Sequence, residues 1–131
     1  MIVLDASAVI AYLLNRPPGS TDAIRARLQA PGGEPCAPHL IDLEIAHTLR
    51  RLLLRRELSV DRASEALQDL ARLAIDRYPH YPLMVRIWEL RENVTAYDAA
   101  YVALAEDLDA PLLTRDVRLS RAPHRARVEV V

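Results

Sequence analysis

Met1-Ile2-Val3-Leu4-Asp5-Ala6-Ser7-Ala8-Val9 opens the chain, with an apolar run that passes straight into a helical pattern. Ile2-Val3-Leu4 is a short apolar run with β-branched residues, stopped by an acid, as expected of a strand buried on both faces. From Ser7 to Leu14 the apolar residues Val9, Ile10, Leu13 and Leu14 recur at helical spacing. A buried strand passing directly into a helix is the building unit of a parallel α/β sheet.

The same alternation continues outward. Pro17-Pro18-Gly19-Ser20 punctuates the chain before a second helix, Thr21 to Gln29, and Pro31-Gly32-Gly33 makes a turn before a short strand over Glu34 to Ala37. A long helix is predicted from His39 to Arg56 and another from Val60 to Ile75, capped by Ser59 or Asp61. Arg77 to Tyr81 reads as a loop or weak strand, Leu83 to Arg91 as a helix, and Thr95 to Leu108 as a further helix. Pro111-Leu112-Leu113-Thr114 and Arg127 to Val131 supply the last strands. The expectation is one α/β domain over residues 1–131. Its central parallel sheet has four to five short strands, with helices on both faces.

Composition narrows the function. Of 131 residues, 51% are hydrophobic, with three Gly and no Phe, which suits a globular core and leaves little for a glycine-rich phosphate loop. The lone Cys36 excludes an internal disulfide and a cysteine zinc cluster. No apolar run is long enough to span a bilayer and no leader precedes the first strand, so a cytoplasmic protein without membrane contact is expected. Net charge is −1, yet every one of the 17 basic residues is Arg. They gather at Arg50, Arg51, Arg55 and Arg56, and again at Arg115, Arg118, Arg121, Arg125 and Arg127. Such runs are commonly solvated faces, and acquire meaning only beside a catalytic site.

Four acids stand where an open α/β sheet places its sites, outside the carboxyl ends of strands. Asp5 ends the first strand, Glu44 lies in the first turns of the long helix, Asp98 begins the Ala/Leu-rich helix, and Asp116 follows the strand ending at Thr114. Converging carboxylates repel one another, and a hard divalent cation such as Mg²⁺ or Mn²⁺ relieves that repulsion. Phosphoryl transfer is the chemistry that such sites serve, with an activated water as nucleophile. Each acid also has a plain structural use. Asp5 and Asp116 can cap the helices after them, and Asp98 lies three residues after Thr95, the spacing of a capping box. Glu44 shares the one polar stripe of its helix with Thr48, Arg51 and Arg55, so Arg51 is an alternative partner to a metal. Tyr78, Tyr81 and Trp88 could stack on bases, although core packing is the simpler reading. His39, His47, His80 and His124 show no metal spacing and receive no role.

Together these segments resemble the PIN domain, and within it the VapC toxins. The resemblance rests on Met1 to Val9, on Pro38-His39-Leu40-Ile41-Asp42-Leu43-Glu44-Ile45, on Thr95-Ala96-Tyr97-Asp98-Ala99-Ala100-Tyr101-Val102-Ala103-Leu104-Ala105, and on Leu112-Leu113-Thr114-Arg115-Asp116. It implies that Asp5, Glu44, Asp98 and Asp116 ligate Mg²⁺ or Mn²⁺, with Ser7 and Thr114 in support. It implies an endoribonuclease that arrests growth, usually a homodimer, restrained by a cognate VapB-like antitoxin in a heterotetramer or larger assembly. Arg115, Arg118 and Arg121 could then meet RNA phosphates. The helix over Leu40 to Leu54 carries more apolar surface than one core needs, and either burial or a groove for a partner helix could use it.

Rival classes fit less well. A phosphorelay receiver needs a Lys that this chain lacks. A haloacid-dehalogenase phosphatase wants an acid two residues after Asp5, where Ser7 stands. A non-catalytic PIN-like adaptor and a structure-specific DNA nuclease remain as alternatives.

Overall fold

The computed structural model describes all residues, 1–131. The opening apolar run forms β1 (Ile2–Leu4), wholly buried, and Asp5 turns the chain into α1 (Ala6–Leu14) by accepting the Ala8 amide at 2.9 Å. Asn15 then adopts a left-handed conformation and its side chain accepts the Gly19 and Thr21 amides, which swings the chain into α2 (Ser20–Gln29). β2 (Pro35–Pro38) leads to α3 (Ile41–Leu54), α4 (Val60–Arg72) and β3 (Asp76–Tyr78). A single 3₁₀ turn (Tyr81–Leu83) precedes α5 (Met84–Glu89) and α6 (Ala96–Asp107). β4 (Leu112–Thr114), α7 (Val117–Arg121) and β5 (Val128–Val130) complete the chain.

All five strands are parallel, in the order β3-β2-β1-β4-β5. The chain therefore winds outward from β1 in both directions, and the crevice between β1 and β4 is the place where the connections diverge. α1 packs with α2, α3 and α4, while α6 lies along β1, β2 and β4 with α5 beside it, so the sheet is flanked by helices. Central strands are fully buried, as are Ile41 and Ile45 of α3 and all of Ala99 to Ala105 in α6. No helix is long and apolar enough to cross a membrane.

Several boundaries differ from expectation. The helix predicted to reach Ile75 stops at Arg72, because Ala74 takes a left-handed conformation and Ile75 drops into the core ahead of β3. The weak segment at Arg77 is a true edge strand in register with β2. Pro82 tightens the start of the next helix into a 3₁₀ turn, so α5 is shorter than Leu83 to Arg91. Core packing also fails for two aromatics: Tyr81 is 82% exposed and Trp88 66%, the latter lying under the Arg91 guanidinium at 4.9 Å.

Candidate functional site

β1 and β4 are neighbours, so the acids that end them meet at one edge. Asp5 is buried, and both of its carboxylate oxygens are spoken for. Ser7 Oγ donates to Oδ1 at 2.6 Å, beside the Ala8 amide, and Thr114 Oγ1 donates to Oδ2. The two hydroxyls also accept backbone amides from the loop beyond β4: Arg115 N–H reaches Ser7 Oγ, and Asp116 N–H reaches Thr114 Oγ1, each at 2.9 Å. One carboxylate thereby sets the path of both strand ends.

Glu44 comes to the same edge from α3. Its partner is not Arg51, as the helix stripe allowed, but Tyr101 of α6, whose hydroxyl donates to Oε1 at 2.6 Å. Tyr101 is buried. Sequence reasoning passed it over because it sits among seven consecutive buried residues. The available signal was its place three residues after Asp98, on the same helical face. Thr95 caps α6 by accepting the Asp98 amide at 3.2 Å, so the capping reading of that segment holds as well.

The electrostatics tie these acids together. Burial pushes the Asp5 pKa up against its hydrogen bonds, and the charge of Asp98 adds to the rise. Burial likewise raises Glu44, with Asp98 and Asp5 adding repulsion. Asp98 is raised first by burial and then by Asp116. Tyr101 is pushed far up by burial and by the carboxylates around it, so it stays a donor. Asp116 differs. Arg118 donates through Nε at 3.0 Å and Nη2 at 2.7 Å, and this fork holds the Asp116 carboxyl below its ordinary range. Asp116 also caps α7 through the Arg118 amide.

The structure thus gathers Asp5, Glu44 and Asp98 with Ser7, Thr114 and Tyr101, and leaves Asp116 at the rim with Arg118. Arg115 is turned away toward the Val131 carbonyl, and Arg121 is exposed without an ion pair. As the side chains stand, no three of them surround one point to hold an ion. The donor set nevertheless fits a hard divalent cation. It is oxygen only, three of its acids are raised by burial and by like charge, and no cation of the chain reaches Asp5 or Glu44. A separate cavity of about 320 Å³, lined by Tyr12, Asn15, Arg62 and Arg72 among others, includes none of these acids.

Comparison with known proteins agrees with this fold. The PIN-domain family model matches residues 2–125. The chain is 49% identical over 120 residues to VapC ribonuclease Mb0985 of Mycobacterium bovis, covering 92% of this chain and 89% of that protein. It is 47% identical over 122 residues to ribonuclease VapC1 of Mycobacterium tuberculosis, covering 92% and 90%. Among solved structures, VapBC2 from Rickettsia felis bound to a promoter DNA fragment superposes with a TM-score of 0.71 at 14% identity, over 98% of each chain. PAE2754 from Pyrobaculum aerophilum superposes with a TM-score of 0.65 at 24% identity, over 97% of this chain and 87% of that one. The family model over residues 2–125 and the relatives that match about nine-tenths of the chain place it in the PIN-domain family, as a member of the VapC type.

Proposed function

We propose that this chain is a divalent-cation-dependent endoribonuclease, the toxin of a toxin–antitoxin pair, acting in the cytoplasm to cut cellular RNA and arrest growth. The observation that carries the reading is the cluster of Asp5, Glu44 and Asp98, acids kept in one another's field at the sheet edge, where no base of the chain reaches Asp5 or Glu44 and Asp98 has only the charge of Arg118 nearby. Elsewhere the chain sets arginines on Glu129, Asp42 and Glu106, and a buried charge left without such a partner is costly. The names of the mycobacterial relatives, which are ribonucleases, point the same way.

On this reading Asp5, Glu44, Asp98 and Asp116 would hold Mg²⁺ or Mn²⁺. When bound, the ion supplies neutralising charge and the Lewis acidity that phosphodiester hydrolysis demands near neutral pH. The chain's own residues supply orientation. Ser7 and Thr114 fix both oxygens of Asp5, and Tyr101 fixes one oxygen of Glu44. Arg118 and Arg121 on α7 offer charge for RNA phosphates at the rim. A VapB-like antitoxin is the proposed partner. Leu43, Leu54 and Val60, all left exposed by α3 and α4, are apolar surface it could cover in a homodimer-based complex.

The test is cleavage of a mixed tRNA and rRNA pool with Mg²⁺ or Mn²⁺, and again with EDTA. The double variant Asp5→Asn/Asp98→Asn, checked for folding, serves as control. Discrete, EDTA-sensitive fragments absent from the variant are expected. A folded, metal-supplied chain that leaves the pool intact would turn the assignment toward the adaptor or DNA-nuclease alternatives.

A further inference from the structure

Several arginines of the molecule are forked onto acids: Arg27 onto Glu129, Arg77 onto Asp42 and Arg86 onto Glu106. The end of α3 breaks that habit. Arg50, Arg51, Arg55 and Arg56 are all exposed and none has a carboxylate partner, although Glu57 follows directly. Arg16 joins them, its Nη2 donating to the Glu57 carbonyl at 3.0 Å. The turn that ends the helix adds to the anomaly. Arg56 N–H bonds to Leu53 O and Glu57 N–H to Leu52 O, a closure that puts Arg56 at φ 58, where glycine or asparagine is the favoured residue.

The negative end of a helix welcomes cations, but it carries only about half an elementary charge. Five guanidinium groups are more than that half charge can balance. Their position supplies the reason for keeping them. Glu44, Thr48, Arg51 and Arg55 follow one another at spacings of four, three and four, so they share a single face of α3. That face starts at the acidic edge and reaches Arg51 about 10 Å and Arg55 about 16 Å along the helix.

We infer that this face is a track for the phosphate backbone of single-stranded RNA, with Arg51 and Arg55 holding phosphates a few nucleotides away from the bond cut at the acidic edge. The inference deepens the ribonuclease reading and rests on it. Arg suits the role, because its fork meets phosphate oxygens in pairs. Continuity with Glu44 favours RNA over an acidic protein as the occupant.

The experiment is fluorescence anisotropy of a fluorescein-labelled 20-nucleotide oligouridylate, titrated in EDTA so that binding is read without cleavage. The wild-type chain is compared with Arg51→Ala/Arg55→Ala and with a control, Arg25→Ala/Arg72→Ala, which removes equal charge from the α2/α4 side. All four residues are exposed, and each variant's Tm verifies the fold. Loss of two phosphate contacts is expected to weaken binding about ten-fold near 0.1 M salt, and to flatten the slope of log affinity against log salt by about 1.4, while the control keeps the wild-type slope. Equal losses in both variants, an unchanged slope, or no binding by the wild type would overturn the track. Cleavage assayed in parallel separates the two readings. A chain that cuts RNA with an affinity indifferent to Arg51 and Arg55 loses the track and keeps the nuclease; patch-dependent affinity without cleavage does the reverse.

Discussion

Two shielded carboxylates, Asp5 and Glu106, were built to opposite ends. Glu106 keeps only 7% of its side chain exposed. It receives Arg86 through Nε at 2.7 Å and Nη2 at 3.0 Å, and the Arg125 amide at 2.8 Å. Those donors carry its pKa down from 4.5 to about 2. Asp5 is as well hidden, yet it has only two hydroxyls and one amide, and its pKa goes up instead. A buried acid that served packing alone would have been paired or replaced, since an unpaired buried charge is costly. The difference marks Glu106 as a tie between α5, α6 and the segment before β5; on the proposed reading, the charge that compensates Asp5 would come from a bound cation.

The comparison breaks most directly at Asp5→Asn. Outer partners of a metal site are worth about 10–100-fold, so loss of a proposed direct ligand should lower RNA cleavage by at least about a hundred-fold. Stability in EDTA should move the other way or not at all. Asparagine is also a good helix cap and can still accept the Ala8 amide. A raised folded pKa means that the acid contributes most to stability while protonated, and that this contribution fades as pH rises through the raised value. Removing the charge therefore relieves a desolvation cost at pH 7, which offsets the Thr114 hydrogen bond that an amide nitrogen cannot accept. A Tm several degrees lower for Asp5→Asn in EDTA would show the carboxylate to be structural and would erase the contrast with Glu106.

Glu106→Gln is the reverse experiment, with stability as its readout. The folded pKa lies below the unfolded one, so this contribution is whole above about pH 4.5 and is lost as pH falls toward 2. Its size at pH 7 is about 2–3 kcal/mol, the upper figure following from the pKa difference and the lower allowing for the partly exposed Arg86. The expected Tm loss is roughly 5–10 °C. Thermal scans at pH 7 and pH 3 should show the variant and the parent converging in acid, with metal-dependent cleavage retained at temperatures where both are folded.

Tyr101→Phe tests how far the orientation of Glu44 matters. Without the hydroxyl, Glu44 loses its one hydrogen-bond partner, and cleavage should fall about ten-fold, with Mn²⁺ affinity reduced alongside. The Tm should drop by the equivalent of about 1 kcal/mol. A Tm loss with unaltered Mn²⁺ affinity would reduce Tyr101 to packing. This pair also explains what the sequence could and could not reveal. Asp5 and Asp116 were legible because a strand end is a local event, written in Ile2-Val3-Leu4-Asp5 and in Leu112-Leu113-Thr114-Arg115-Asp116. The Glu44–Tyr101 contact joins residues 57 apart and depends on how α3 and α6 cross the sheet edge. Local periodicity carries no such information, least of all in α6, which is buried on every side from Ala99 to Ala105. Exposure of Tyr81 and Trp88 was hidden for a related reason. Aromatic rings are ordinarily well shielded, and only the placement of the short α5 at the surface decides otherwise.

Arg118→Ala should have the smallest effect on stability, and it probes the one acid that the chain neutralises for itself at this edge. The Arg118 side chain is 88% exposed, and so open an ion pair adds little to stability, so the Tm should change by no more than about 2 °C. Its effect on the cation should still be measurable. Arg118 and a divalent ion are both drawn to Asp116, and the charge of Arg118 also lowers the field at Asp98. If Asp116 is a ligand, removing its competitor should tighten Mn²⁺ binding by about two- to five-fold, the range that a weak surface pair can supply. Isothermal titration with Mn²⁺ gives the answer directly. Weaker Mn²⁺ binding in the variant would mean that Arg118 holds Asp116 in place for the ion instead of against it, and Asp116 would then belong with Asp5 as a carboxylate set in advance by its neighbours.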